Sequence, residues 1–139
     1  MPFRADPQIR VPATLLAVRD LSGFLQKRCA DAGIDDSIAL ELDLALVEAA
    51  NNIVQHGLGP DEGEIGLSVD FAGTQVTMTL SDNGPPAPEG LFATPAQAPD
   101  HFAESGRGMM IMSQCVDSIE YRREGDVNVL VLKKRLLPR

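Results

Sequence analysis

Residues 64–82 read EIGLSVDFAGTQVTMTLSD, and this stretch decides the fold class. Every second residue from Ile65 to Phe71 is apolar, and the residues between them are small or polar. After a tight turn at Ala72-Gly73, the alternation resumes with Val76, Met78 and Leu80 on one side. A period of two on both sides of a tight turn predicts an antiparallel hairpin with one face in the core.

Two helices are predicted before this hairpin. A short strand at 7–13 leads into apolar residues at helical spacing from Leu15 to Cys29, with Gly33 as a C-cap. Asp35 or Asp36 can cap the second helix, which ends at His56-Gly57. Its apolar stripe consists of Ile38, Leu42, Leu46 or Ala45, Ala49 and Ile53.

The chain after the hairpin begins with a loop and ends with a second hairpin. Residues 83–105 hold five of the ten prolines, and a loop of this length in a compact domain is usually functional or mobile. A helix entered through Gly106-Arg107-Gly108 and strands near Ile119–Tyr121 and Val127–Leu132 follow. The order of elements predicts an α+β fold, a two-layer sandwich with helices on one face of a mostly antiparallel sheet.

Length and charge narrow the possible functions. The 139 residues predict a single domain spanning 1–139, and no apolar run suits a secretion signal or a membrane span, so we expect a cytoplasmic protein. The net charge is −8, and residues 29–106 hold 14 acids and no base, which disfavours nucleic-acid binding. Cys29 and Cys115 lack metal-site spacing and are expected to be buried, reduced thiols.

Glu48 and Asn52 interrupt the apolar second helix four residues apart and therefore share one face. One interpretation is an ordinary solvated helix face. The other is a cleft in which the amide oxygen of Asn52 ligates Mg²⁺ and the carboxylate of Glu48 accepts a proton from a nucleophile.

Asp82 closes the first hairpin. It has the same parity as Met78 and Leu80, so it points toward the helical layer. A carboxylate on a buried face needs a hydrogen-bond donor. Asp82 either caps the Asn83-Gly84 turn or accepts a hydrogen bond from a ligand amine in the cleft that Glu48 and Asn52 face.

Gly106-Arg107-Gly108 is predicted to open the third helix. Free backbone N–H groups and the helix dipole at that position would bind an anion, and glycines would let a phosphate approach the backbone closely. A simple turn from loop to helix is the alternative. Arg107 is the first base after the anionic stretch and is the candidate for a phosphate or partner contact.

Together these motifs resemble a known superfamily. The stretch EAANNIVQH at 48–56 resembles the N box of the ATP-binding superfamily of DNA gyrase, the histidine kinases and the mismatch-repair ATPases. Asp82-Asn83-Gly84 resembles half of its first glycine box, and GRGMMI at 106–111 resembles its second. With VDSIEY at 116–121, the chain is most similar to anti-sigma-factor serine kinases of the RsbW and SpoIIAB type from about residue 8 to 134.

This resemblance implies a Bergerat-type histidine-kinase-like ATPase fold that binds ATP and Mg²⁺. Glu48 matches the general base, Asn52 the Mg²⁺ ligand and Asp82 the residue that accepts a hydrogen bond from the adenine amino group. Gly84 matches the glycine that lets the adenine ring pack closely. The segment from Gly106 through Arg107 and Gly108 to Met109 surrounds the phosphates beneath a lid at about 86–105, and Arg107 complements Mg²⁺ during phosphoryl transfer.

The sequence also departs from the family pattern. Pro86 stands where the first glycine box has a second glycine, and proline fixes φ and removes an N–H, so nucleotide binding or lid closure is in question. Asn51 beside Asn52 leaves a choice of register, although the spacing from Glu48 favours Asn52. His56 is either a core or capping residue or a direct participant.

The resemblance predicts an ATP-dependent anti-sigma factor and serine kinase. It would bind a sigma factor or similar regulator, phosphorylate a STAS-type anti-anti-sigma protein and form a homodimer. Pro86 motivates the alternative of a binding switch with weakened or lost catalysis. The catalytic part of a histidine kinase is disfavoured, because 139 residues leave no room for a phosphoacceptor helix pair.

Overall fold

A computed structural model describes residues 7–57, 62–87 and 103–136, with side chains in the last range from Gly108 onward. The elements follow the predicted order of strand, two helices, hairpin, helix and hairpin. They are β1 (Ile9–Pro12), α1 (Leu15–Asp31), α2 (Asp36–His56), β2 (Glu64–Ala72), β3 (Gln75–Asp82), α3 (Ala103–Cys115), β4 (Ser118–Glu124) and β5 (Val127–Arg135).

The five strands form one antiparallel sheet in the order β1-β2-β3-β5-β4. In the central hairpin the register runs from Ile65 opposite Asp82 to Ala72 opposite Gln75, around a turn in which Gly73 has φ +61°. The positive φ explains a glycine at this position, because a residue with a Cβ rarely adopts it. The predicted α+β class, with helices packed on an open antiparallel sheet, is confirmed.

Local hydrogen bonds fix the ends of the first two helices. Thr14 caps α1 by accepting a bond from the Ala17 N–H at 2.9 Å, and Gly33 follows its C-terminus with φ +71°. Of the two candidate caps of α2, the structure selects Asp35, whose side chain accepts from the Ser37 N–H at 3.2 Å. These caps satisfy backbone groups that a helix end leaves unpaired.

The core lies between the helices and the apolar face of the sheet. The alternating apolar residues of β2 and β3 are fully buried there except Phe71, which is partly buried at the end of β2. The largest fully buried side chains are Leu21, Leu25, Leu42, Leu46, Ile65, Leu67, Met78, Leu80, Met112 and Leu132. Cys29 and Cys115 are buried free thiols, as expected.

The third helix begins earlier than predicted. It starts at Ala103, so Gly106-Arg107-Gly108 lies inside the helix, and the prediction that these glycines open it is wrong. Glycine costs a helix only about 1 kcal/mol relative to alanine, a penalty that packing on a neighbouring helix offsets. Residues 103–105 of the predicted lid thus belong to α3. Pro86 and Ala87, at its other end, are the last described residues before 88–102, and the lid residues 88–102 lie outside the described residues.

The second hairpin is longer than predicted, because β4 reaches Glu124 and β5 continues to Arg135. The end of β5 was not predicted because its last residues are charged and break the apolar pattern. These residues nevertheless pair with Gln75, Val76 and Thr77 of β3. Within the described residues, no helix is both long and apolar enough to cross a membrane.

Two leucines of α2 allow a matched test of this packing. Leu46 is fully buried, whereas Leu44 is 44% exposed. Leu46→Ala removes core contacts and is expected to lower the free energy of unfolding by about 3 kcal/mol. Leu44→Ala should cost less than about 1 kcal/mol. Urea denaturation measures both, and equal losses would contradict the orientation of α2.

Candidate functional site

A half-open cleft lies between the C-terminal end of α2 and the ends of strands β3 to β5. It contains about 400 Å³ of empty space, counting the part that opens to solvent. Its apolar lining comes from Ile53, Pro85 and Leu130, and its polar lining from Asn52, His56, Asp82, Tyr121 and Asn128.

Two polar side chains of α2 lack hydrogen-bond partners in this cleft. Asn52 is only 8% exposed, and its buried Nδ2 has no partner among the described residues. His56, one helical turn further, has a buried Nε2 in the same condition. Leaving a buried polar atom unpaired costs about 1–3 kcal/mol, so each atom requires a partner in the cleft, either an ordered water or a ligand.

Asp82 reaches the same cleft from the end of β3, so the structure brings it and Asn52 together. Its Oδ1 accepts hydrogen bonds from the Gly84 N–H at 2.8 Å and from Asn128 Nδ2 at 3.0 Å. Both bonds therefore fall on the same carboxylate oxygen. Asp82 therefore closes the Asn83-Gly84 turn and also lines the cleft, whereas its contact with a ligand amine stays a prediction.

Burial raises the pKa of the Asp82 carboxyl above its ordinary value of 3.8. The bond from Asn128, the bond from the Gly84 N–H and the nearby charge of Arg123 act in the opposite direction. A raised pKa means that the ionised carboxylate is costly to bury. It therefore gains from a donor that completes its hydrogen bonding.

Asn128 is a site residue that the sequence analysis missed. It is 5% exposed on β5, directly opposite Asp82 of β3. Its oxygen accepts from the Tyr121 hydroxyl at 2.6 Å and from Arg123 Nη1 at 2.9 Å. The available signal was one amide in the otherwise apolar run VNVLVL at 127–132.

Glu48 lies beside α3, one turn before Asn52 on α2. A Cβ added to Gly108 would stand 2.9 Å from Glu48 Oε1, so only a glycine leaves the carboxylate in this position. This close approach of Glu48 to α3 is not predicted from the sequence. Glu48 is not part of the lining of the cleft itself, whereas Asn52 is.

The remaining predicted residues of the glycine boxes occupy different environments. Gly84 is buried, and its carbonyl accepts a bond from Arg123 Nη1 at 3.0 Å. Met109 is 4% exposed in the hydrophobic core, so a ligand contact by its side chain is not indicated. The side chain of Arg107 lies outside the described ones, and the predicted phosphate contacts of Gly106, Arg107 and Gly108 stay predictions.

The donor set fits Mg²⁺ only as an ion shared with other ligands. Within the described residues, no group of three or more His, Cys, Asp and Glu side chains could hold a metal. Mg²⁺ commonly takes one or two protein ligands and completes its shell with phosphate oxygens and water. Only the amide oxygen of Asn52 could serve as such a ligand, because the unpartnered Nδ2 is an N–H donor, and the role of Asn52 as a Mg²⁺ ligand stays a prediction.

Comparison with known proteins supports the α+β fold described above. The family model of the histidine kinase-like ATPase domain matches residues 11–134. The chain belongs to this family. The match runs from β1 to β5 and therefore includes both sides of the cleft.

Within the histidine kinase-like ATPase family, the chain is similar to serine-protein kinases named RsbW. RsbW from Bacillus cereus strain AH187 is 24% identical over 139 residues, covering 96% of this chain and 81% of the relative. RsbW from Bacillus thuringiensis strain Al Hakam shows the same identity and coverage. The similarity therefore extends along nearly the whole chain at low identity.

Solved structures share the histidine kinase-like ATPase fold at low sequence identity. The RsbU and RsbW domains of a Mycobacterium tuberculosis protein match with a TM-score of 0.63 and 19% identity over 92% of this chain, which spans 32% of that longer chain. The catalytic domain of histidine kinase ThkA gives 0.59 and 15% identity, covering 94% and 98% of the two chains. The SiaB-SiaC complex from Pseudomonas aeruginosa gives 0.60 and 11% identity, covering 95% and 92%.

The raised pKa of Asp82 predicts how stability depends on pH. The folded state holds the Asp82 proton more tightly than the unfolded state, so this stabilisation is complete below about pH 3.8 and is lost as the pH rises through the folded-state pKa. Asp82→Asn keeps an acceptor and removes the buried charge. Its urea midpoint should exceed that of the native protein at pH 7, and the difference should shrink near pH 3.5.

The matched control is Asp70→Asn on β2, because Asp70 is exposed. Its urea midpoint should follow that of the native protein at both pH values. The quantity to compare is the urea midpoint of Asp82→Asn minus that of the native protein. If this difference is smaller at pH 7 than at pH 3.5, the assigned burial of the carboxylate is contradicted.

Proposed function

We propose that the chain is an ATP- and Mg²⁺-dependent serine kinase and anti-sigma factor in a partner-switching system. The observation that carries this proposal is the meeting of Asn52 and Asp82 in one cleft, with Glu48 one helical turn away. Similarity to serine-protein kinases named RsbW supports the choice of reaction within the family. The substrate would be the serine of a STAS-type anti-anti-sigma protein, and a sigma factor or similar regulator the second partner.

The two sides of the cleft would bind the two ends of the nucleotide. Asp82, which lines the cleft and has its two printed bonds on Oδ1, would accept a hydrogen bond from the adenine amino group, and Gly84 would let the adenine pack closely. At the other end Asn52 ligates Mg²⁺, which offsets phosphate charge when bound. This metal matters here because residues 29–106 supply no base.

Glu48 would act as the general base. A serine hydroxyl delivered by the protein substrate gives its proton to the carboxylate while its oxygen bonds to the γ-phosphorus and ADP leaves. Such transfers depend on positioning and charge neutralisation more than on covalent chemistry. Arg107 is proposed to contact the phosphates, whereas residues 106–109 lie within α3 beyond its first three residues, so their backbone N–H groups are used by the helix.

The proposed kinase acts as a homodimer in the cytoplasm. The sheet offers β1 as an edge strand, paired on one side with β2, and a free strand edge can pair with a second chain. Gel filtration at several concentrations tests the assembly separately from the activity.

Glu48→Gln tests the catalytic assignment with minimal change in shape. Because the amide cannot accept the hydroxyl proton, phosphate transfer to a cognate STAS protein should fall at least about 100-fold, the usual scale of general-base catalysis. ADP binding should be retained, since Glu48 lies outside the lining of the cleft. Transfer from labelled ATP and calorimetry with ADP provide the two measurements.

The result also separates the kinase from its alternative. Pro86 in the first glycine box favours a binding switch with weakened catalysis, because a proline there removes an N–H and stiffens the segment. Native protein that binds ADP but transfers no phosphate would establish the switch. Full transfer by Glu48→Gln would exclude Glu48 as the base.

Gly108→Ala tests the contact between α3 and Glu48. The new Cβ would meet Glu48 Oε1 at 2.9 Å, and the carboxylate can yield because it ends a flexible side chain. Stability should stay level or rise by up to about 1 kcal/mol from helix propensity. Transfer should fall about tenfold or more, because a small displacement of a catalytic group is costly.

Gly23→Ala in α1 is the matched control. Nothing lies within 4 Å of a Cβ added to Gly23, so this helix gains the same propensity without disturbing Glu48. It should retain native transfer. Native transfer by Gly108→Ala as well would show that the position of Glu48 does not limit the reaction.

A further inference from the structure

The segment after β3 is held by hydrogen bonds that involve side chains, beginning with Asn83, whose amide bonds to the backbone of Glu62 and Glu64. Asp82 is followed by Asn83, Gly84, Pro85 and Pro86, and the two prolines contribute no N–H donors. The carbonyl groups of Gly84 and Pro85 are nevertheless hydrogen-bonded. Their donors are side chains of β4 and β5, so the segment is held from the sheet.

Asn128 supplies most of these bonds. Its Nδ2 donates to Asp82 Oδ1 at 3.0 Å and to the Pro85 carbonyl at 2.8 Å, with a longer contact of 3.3 Å to the Gly84 carbonyl. One amide group therefore joins the carboxylate of the cleft to the backbone that follows it. Burial strengthens the dependence, because a buried amide without partners is costly.

The orientation of Asn128 is set by two neighbours on β4. Arg123 Nη1 donates to the Asn128 oxygen at 2.9 Å, and an arginine can only donate, so the atom that faces it must be Oδ1. The Tyr121 hydroxyl donates to the same oxygen at 2.6 Å and accepts from the Ala87 N–H at 2.8 Å. Nδ2 is thereby forced toward Asp82.

We propose that Asn128 is a positioning residue of the nucleotide site, oriented by Tyr121 and Arg123, which holds Asp82 and the Gly84–Ala87 backbone in the arrangement that recognises the base. This inference rests on the proposed nucleotide binding. It assigns to side chains of β4 and β5 the bonds that hold the carbonyl groups of the proline-containing segment. Asp82 remains the group that touches the ligand, and Asn128 acts through it.

Tyr121→Phe is the mildest test, because it keeps the ring that lines the cleft and removes only the hydroxyl. Exchange of the Ala87 amide hydrogen, followed by NMR, should accelerate about tenfold or more, since its acceptor is lost. Affinity for ADP in calorimetry should fall about fivefold, the scale of one neutral hydrogen bond. The thermal unfolding midpoint should change little.

A pH profile separates positioning from a general structural role. The Asn128 bond lowers the pKa of Asp82, so Asn128→Leu should raise that pKa further. Because the ionised carboxylate accepts the amino group of the base, ADP binding should then fail at a higher pH than in the native protein. If Asn128→Leu does not fold, the exchange and affinity of Tyr121→Phe decide the matter.

Arg122→Gln, next to Arg123 on the same strand, is the matched control. Arg122 forms an ion pair with Glu124 at 3.4 Å, and its removal should leave ADP affinity and Ala87 exchange unchanged. If the native protein binds ADP and Tyr121→Phe matches it both in ADP affinity and in the exchange rate of the Ala87 amide, the positioning role alone is overturned. Native protein that binds no ADP would overturn the proposed function and this inference with it.

Discussion

The packing of α2 against the apolar face of the β2–β3 hairpin is the contact on which the rest of the structure depends. Leu42, Leu46, Met78 and Leu80 are fully buried in this layer. Because the apolar residues leave no freedom of register, a one-residue slip of either strand would turn its core residues to solvent. The same constraint brings Asn52 at the end of α2 and Asp82 at the end of β3 into one cleft.

The polar residues of the cleft lie where the apolar layer ends, and they differ in how many of their hydrogen bonds the protein supplies. Asp82 and Asn128 bond to each other, and Asn128 is saturated by protein partners. Asn52 and His56 retain buried nitrogen atoms without partners in the described chain. The sheet side of the cleft is thus hydrogen-bonded within the protein, whereas the helix side retains two buried nitrogen atoms without a partner among the described residues. Such an asymmetry suits a site that recognises one end of a molecule rigidly and neutralises charge at the other.

Periodicity made the fold and part of the site predictable. Alternation identified the β2–β3 hairpin, and parity alone placed Asp82 on the helix-facing side. Two features escaped, because they depend on packing between distant residues. Asn128 meets Asp82 only through the register of β3 and β5, across 46 positions of sequence. The start of α3 was misplaced because glycines usually interrupt helices, whereas Gly108 here allows the helix to pack against Glu48.

The central claim is that this cleft recognises adenine through Asp82. Calorimetric titration with ADP and with inosine diphosphate tests it most directly, because the two nucleotides differ at the purine group that would donate to the carboxylate. The account predicts that ADP binds and that inosine diphosphate binds at least about tenfold more weakly, since a site built for a hydrogen-bond donor rejects a ligand that lacks it. Equal affinity for the two nucleotides, or no binding of ADP, would contradict it.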